Sequence, residues 1–286
     1  MAWIAPIWIY LWLAGMAGGA YFAAFLAEHF TGASDRKLLK LATYVGVPLA
    51  VLGVLLLVVD LGSPLRFWHL FTQFDVMSPM SMGTWILLAW VGIAVIMVIL
   101  WWMVPTRQNL ADLLSKVNLV LAVLLITYTG VLLAVSNQPL WASTVLLPAL
   151  FVVSAISTGV ALLIITAITS GTSGITRQMV GRLAEVDAIA IIVELVVLIG
   201  YAIWLGASSM AGASEALGLL TTGALAAPFW VGVVLVALLI PLGLDLKNWG
   251  KDVESKSVWG AIATSAVCVI LGGLVLRAVI TIGGQL

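Results

Sequence analysis

The run Val51-Leu52-Gly53-Val54-Leu55-Leu56-Leu57-Val58-Val59 is almost pure hydrocarbon, and at Asp60 the chain changes character: Leu61-Gly62-Ser63-Pro64-Leu65-Arg66-Phe67-Trp68-His69-Leu70. The apolar run starts near residue 41. It therefore supplies the roughly 20 residues that a helix needs to cross the hydrocarbon core of a bilayer. Gly62 and Pro64 stop that helix. Further on, Ser78-Pro79 breaks the chain again just ahead of a second apolar run. The stretch Asp60 to Trp85 thus reads as a polar, aromatic loop hung between two membrane-crossing helices. It holds one of the two histidines of the chain and two of its twelve acids. In a chain otherwise dominated by hydrocarbon, this is where chemistry is expected.

Working outward, the same apolar pattern recurs. At 63% hydrophobic, 8% charged and a mean hydropathy of +1.22, the chain is not a water-soluble domain. Eight spans are expected, at about 3–28, 41–60, 82–104, 113–136, 144–169, 186–207, 223–244 and 257–282. Together they leave room for a single eight-helix, all-α membrane domain over residues 1–286. The apolar runs are continuous rather than alternating, which excludes a membrane β-barrel. No sequence repeat and no low-complexity segment is visible. Net charge is zero, with no basic stripe for a nucleic acid.

Numbering the loops alternately separates the basic residues. Arg36, Lys37, Lys40, Arg107, Lys116, Arg177, Arg182, Lys247, Lys251 and Lys256 fall on one side, Arg66 and Arg277 on the other. Such asymmetry marks the cytoplasmic face. Both termini and the 60–85 loop are then expected outside the cytoplasm, in a multi-pass protein of the inner membrane. The start Met1-Ala2-Trp3-Ile4 has no basic segment or small-residue cleavage site of a removable signal.

Several residues stand out within the spans. The run Ala14-Gly15-Met16-Ala17-Gly18-Gly19-Ala20 suits close approach of a neighbouring helix or of a flat ligand. Trp3, Trp8, Tyr10 and Trp12 read as an aromatic belt at the outer interface. Tyr128 falls about two turns below that surface and needs a partner for its hydroxyl. Glu185 and Asp187 are expected at the cytoplasmic mouth of the sixth span, with Glu194 well inside it. A carboxylate within a membrane is costly and marks a functional candidate. Pro241 predicts a kink in the seventh span. Arg277 either snorkels to the outer interface or faces Asp60 or a ligand inside the bundle.

A transmembrane haem normally takes paired histidines. His29 and His69 lie at opposite faces, roughly 30 Å apart across a bilayer, and cannot share an iron. A lone Cys268 offers no iron–sulfur cluster. No nucleotide loop or metal-ligand spacing is present. What remains is a proton-capable group at the outer end (Asp60, Arg66, His69, Tyr128) and a series of acids towards the cytoplasm (Glu194, Asp187, Glu185). A quinone headgroup needs hydrogen-bond partners that also exchange protons, which His, Tyr and Asp supply.

The motif Asp60-Leu61-Gly62-x-Pro64-x-Arg66-Phe67-Trp68-x-Leu70, followed by Ser78-Pro79-Met80-Ser81-x-Gly83-x-Trp85, resembles the NrfD-like membrane subunits, a family that includes the polysulfide reductase anchor. The glycine-rich first span, Tyr128-Thr129-Gly130, Ser157-Thr158-Gly159 and Gly272-Gly273-x-x-x-Arg277 follow the same pattern. The resemblance implies eight helices without haem and a quinone site near the outer surface, menaquinone being preferred to ubiquinone. It implies docking of a ferredoxin-like iron–sulfur subunit on that face, through a loop that includes Phe67, Trp68 and Ser81. That subunit connects to a catalytic subunit, often a molybdopterin enzyme. Tyr128 is carried over as a quinone contact, with Asp60, Arg66 and His69 lining the site. Where relatives can place Asn or His on the first helix, this chain offers Trp8, Tyr10 and Trp12. Two other readings stay open: a secondary transporter, against which stands the absence of an inverted repeat, and a passive anchor without quinone chemistry.

Overall fold

A computed structural model describes residues 5–31, 36–60, 78–104, 107–136, 138–141, 144–170, 175–251 and 253–286. Eight helices among them are long and apolar enough to cross a membrane, as expected. In chain order the helices are α1 (Ala5–Thr31), α2 (Lys37–Asp60), α3 (Pro79–Met103), α4 (Gln108–Ala134), α5 (Leu146–Ser170), α6 (Arg177–Ala207), the short α7 (Ala213–Thr221), α8 (Pro228–Asn248) and α9 (Lys256–Gly283). Two boundaries differ from expectation in ways that matter. The sixth helix begins at Arg177, not 186, and the seventh span ends at Asn248, not 244. The first extension buries Asp187, expected at the mouth of its span, and the second draws Asp245 out of an expected loop.

Helix starts follow local chemistry. Ser78 accepts the backbone N–H of Ser81 at 3.5 Å and Pro79 fills the first turn of α3. Thr176 caps α6 by accepting from Met179 N–H at 3.2 Å. The start of α2 is capped from a neighbouring helix. Glu28 Oε1 accepts the N–H groups of Leu38 and Leu39 at 2.7 and 3.0 Å, satisfying donors that a helix start leaves free. The expected kink at Pro241 is a change of helix type. Residues Pro228–Leu239 are wound as a π-helix, and α-helical geometry resumes at Ile240. Proline has no N–H to continue the ladder, so the transition falls where one bond is missing anyway.

The helix contacts repeat along the chain. In the first half α1 packs on α2 and α4, and α3 packs on α2 and α4. In the second, α5 packs on α6 and α9, and α8 packs on α6 and α9. Each half is thus a four-helix bundle of one design, with α7 inserted between α6 and α8. Four crossings separate α1 from α5, so the two run in one direction and the duplication is parallel rather than inverted.

The halves meet where α1 crosses α5. A Cβ on Gly19 would lie 1.9 Å from the carbonyl oxygen of Ala155, and one on Gly159 would lie 2.2 Å from the nitrogen of Ala20. The backbones touch, so the small residues of α1 serve helix packing, one of their two expected uses. At the end of the bundle away from the basic residues, residues 138–141 close the second half. Tyr201 donates its hydroxyl to Leu140 O, and Trp141 Nε1 donates to Ile280 O at 2.7 Å.

Candidate functional site

The first half gathers two phenols. Tyr128 sits six residues before the end of α4, about 9 Å along the helix, and is 7% exposed. Its ring lies directly over the backbone of α3: a Cβ on Gly83 would be 1.7 Å from Tyr128 Cζ. The Ser78–Pro79 start of α3 fixes where that glycine falls. Towards the same end of the bundle lies Tyr10 of α1, 1% exposed. The Tyr10 ring rests against Gly53 of α2, where a Cβ would be 3.2 Å from Cδ2. Its hydroxyl is buried and has no hydrogen-bond partner among the described residues.

This corrects the expected aromatic belt. Tyr10 points into the bundle because the helical turn places it on the face of α1 shared with Leu11, Ala14 and Ala17, all buried. Trp12 is also engaged inside, its indole N–H donating to Ile270 O at 3.1 Å. Ser81 is buried in the first turn of α3, two residues before the Tyr128 contact at Gly83. The side chain of Asp60 and all of Arg66, Phe67, Trp68 and His69 lie outside the described residues.

The second half gathers acids. Glu194 of α6 is 5% exposed and meets Arg277 of α9, which is fully buried. Ser154 of α5 bridges them. Its hydroxyl accepts from Arg277 Nη1 at 2.6 Å and bonds to the Glu194 carboxylate. Arg277 Nη2 donates to Phe151 O at 3.3 Å, and the guanidinium lies 5.1 Å from the Phe151 ring centroid. Of the two expected places for Arg277, the bundle interior is the one it takes, with Glu194 and Ser154 as its partners. Snorkelling is excluded because the side chain is fully buried and both Nη atoms donate to groups on α5 and α9.

Seven residues, about 10 Å, separate Glu194 from Asp187 on one face of α6. The sequence places Asp187 at the mouth of the span. It is instead buried, since the helix starts earlier, and accepts from Ser157 at 2.6 Å. Glu185 stays at the rim, accepting Gly250 N–H at 3.3 Å. The acid that the sequence reading missed is Asp245 of α8. It accepts from Ser265 at 2.8 Å, is 5% exposed, and interacts with Asp187. An expected boundary at 244 leaves Asp245 in a loop; the helix runs on and buries it. A cavity of about 320 Å³ enters from the basic end between Arg182, Glu185, Asn248 and Lys251 and reaches Asp245. Asp187 Oδ2 and Asp245 Oδ1 have no partner among the described residues. Asp245, Asp187 and Glu194 therefore form a stepped series of acids, each with one serine hydroxyl.

Comparison with known proteins covers the whole chain. A sequence profile of the family described as "Polysulphide reductase, NrfD" matches residues 1–286. The C subunit of the polysulfide reductase of Wolinella succinogenes is 30% identical, with 100% of this chain and 95% of that protein covered. Protein NrfD of Escherichia coli (strain K12) is 28% identical, with 100% and 96% covered. The NrfD homolog of Haemophilus influenzae is 24% identical over 100% and 95% of the two proteins. Matched over its whole length, the eight-span chain belongs to the NrfD family of multi-pass membrane proteins.

Proposed function

We propose that this chain is the haem-free, quinone-reactive membrane subunit of a respiratory oxidoreductase. The observation that carries the reading is the phenol pair Tyr10 and Tyr128, with a buried hydroxyl that lacks a partner among the described residues, at the end of the bundle where α2 ends and α3 begins. A buried hydroxyl without a partner costs about 1–3 kcal/mol, so a site that keeps one is shaped for a bound group. A quinone carbonyl is such a group: it accepts from the phenols, and Gly53 and Gly83 leave their rings room to lie flat. Menaquinone or ubiquinone supplies two-electron, two-proton chemistry when bound. Tyr128, with His69, Asp60 and Arg66 of the loop, holds the headgroup and exchanges its protons.

The basic residues set the cytoplasmic face. The termini and the phenol pair then lie towards the opposite face, as does the loop carrying Phe67, Trp68 and Ser81. Electrons pass there to or from a docked ferredoxin-like iron–sulfur subunit, and from it to a catalytic subunit. Such a composition suits relatives described as one subunit of a polysulfide reductase and as NrfD. The acid series favours a second element, proton movement from the cytoplasmic cavity through Asp245, Asp187 and Glu194, with Glu185 at its rim.

The test is quinol oxidation by the purified complex, with the iron–sulfur partner's copurification as the assembly control. Tyr128→Phe and His69→Ala are expected to lower turnover at least about 100-fold, the usual contribution of a positioned proton-transfer group. Normal turnover in an intact complex would remove the phenol pair from the mechanism.

A further inference from the structure

A second cavity, of about 220 Å³, lies at the basic end of the first half, between α1, α2 and α4, far from the phenol pair. Its walls are chemically divided. Phe25 forms an apolar side, with the His29 ring stacked on it at 6.4 Å and 13° between planes. Arg36, Lys116 and Ser115 form the polar side, and Glu28 lies at its back.

The negative charges near it are already engaged. Glu28 Oε1 holds the two N–H groups that open α2. Asp112 pairs with Arg36 Nη2. Arg36 Nη1 reaches Ser115 Oγ at 3.3 Å, which aims the guanidinium along the polar wall. Lys116 is exposed and meets no carboxylate among the described residues. Lys40 lies over the Trp101 ring at 5.8 Å. Among the described residues, Arg36, Lys37, Lys40 and Lys116 stand against Glu28 and Asp112, so the cavity has a positive surplus.

The outer flank of this cavity is hydrocarbon. On α4, Leu113, Val117, Val120 and Leu124 are 58%, 40%, 58% and 45% exposed. Their spacing of three and four residues puts them in one stripe with Lys116. Phe30, 82% exposed, stands at the end of α1. A cationic cavity at the interface, continuous with a lipid-facing apolar stripe, matches an amphipathic ligand whose anionic head precedes its chains. Basic pockets between membrane helices on the cytoplasmic side hold such headgroups.

We infer that this cavity binds the phosphodiester headgroup of an anionic phospholipid, with Lys116, Arg36 and His29 on the phosphate and an acyl chain along the α4 stripe. The site does not depend on quinone chemistry.

The test uses the complex as purified from membranes, delipidated and returned to nanodiscs of phosphatidylcholine with or without phosphatidylglycerol or cardiolipin. Native mass spectrometry reads retained lipid, and thermal unfolding reads stabilisation. Anionic lipid is expected to be retained and to raise the unfolding temperature, while phosphatidylcholine alone does neither. Lys116→Ala, an exposed position, should weaken retention about fivefold, the worth of one basic residue at a membrane surface. His29→Ala should also weaken it. Equal retention of phosphatidylcholine, or of phosphatidylglycerol by the Lys116 variant, would overturn the proposal. Full displacement by millimolar inorganic phosphate would instead assign the cavity to a free anion and overturn the lipid.

Discussion

The two halves share one helix arrangement and differ in what they bury at matching positions. Tyr128 lies six residues from the end of α4, and Arg277 lies six residues from the end of α9. Tyr10 is five residues into α1, and Phe151 five residues into α5. One half therefore places two buried phenols at these positions, and the other a guanidinium over a phenyl ring at 5.1 Å. The phenol pair leaves a hydroxyl without a partner among the described residues, whereas Arg277 is closed in by Ser154, Phe151 and Glu194. At the basic end the order reverses. The second-half cavity leads to Asp245, whose Oδ1 has no partner among the described residues, whereas Glu28 behind the first-half cavity is held by the N–H groups of Leu38 and Leu39. A duplicated scaffold has thus been given a buried phenol pair at one end of the first half and a cavity leading to a buried acid at the other end of the second. The common frame is the α1–α5 crossing, and the specialisation lies in a few side chains on it.

The frame should be the most sensitive part. Gly159→Val forces a side chain into the backbone of Gly19 and Ala20, where neither partner can yield. A loss at or beyond the upper end of overpacking, about 3 kcal/mol, is expected, seen as failure to recover monodisperse protein. Gly260→Val, at a position with nothing within 4 Å, should be recovered normally. Recovery of the Gly159 variant with normal stability would dissolve the picture of two halves joined backbone to backbone.

Next in size is the difference between the matched positions. Arg277→Met leaves Glu194 buried without its cation, a loss of about 3–5 kcal/mol. Adding Glu194→Leu removes the orphaned charge and should restore much of it. Tyr128→Phe in the other half should change stability by less than about 1 kcal/mol. Denaturant unfolding in one detergent compares all three. If both halves respond alike, the second is a site as open as the first.

How much of this could be read from the sequence follows from what each feature depends on. Eight spans were legible because continuous hydrocarbon length is a local property. The Ser78–Pro79 start of α3 and the candidacy of Tyr128 and Glu194 were legible for the same reason. The duplication was not, since it lives in which helices touch and leaves no residue-by-residue repeat. Three tryptophans surround Tyr10 and make it read as a belt residue; only the turn of α1 shows it facing inward. Asp245 was missed because Lys247 and Lys251 pull the expected boundary of the span inward, and Arg182 displaces Asp187 outward in the same way. Charged residues near a helix end mark the interface in sequence, yet a bundle lets one face of that turn stay dry.

That contrast makes the cavity of the second half testable. Asp245→Asn keeps the serine hydrogen bond in reach but removes a proton carrier. If protons enter here, uptake by proteoliposomes from the cytoplasmic side should fall about 100-fold. Glu185→Gln, at the rim, should cost tenfold or less, because water reaches the cavity without it. A pH-sensitive dye on the lumenal and bulk sides follows both. Equal effects would put the entrance at Glu185 rather than Asp245.

The smallest effect is the most discriminating for the open site of the first half. Tyr10→Phe removes a hydroxyl that is buried and has no partner among the described residues. On stability alone this should help, by up to about 1 kcal/mol, since a desolvated polar atom is lost and the ring remains. On turnover it should hurt, by about fivefold, the worth of one ordinary hydrogen bond of about 1 kcal/mol. A gain in unfolding free energy with a drop in quinol oxidation marks a group kept for a ligand against the interest of the fold. Gly83→Ala, which displaces the Tyr128 ring, should lower both. If Tyr10→Phe instead loses stability, the hydroxyl bonds to the chain itself, the chamber is structural, and the two halves differ less than their matched residues suggest.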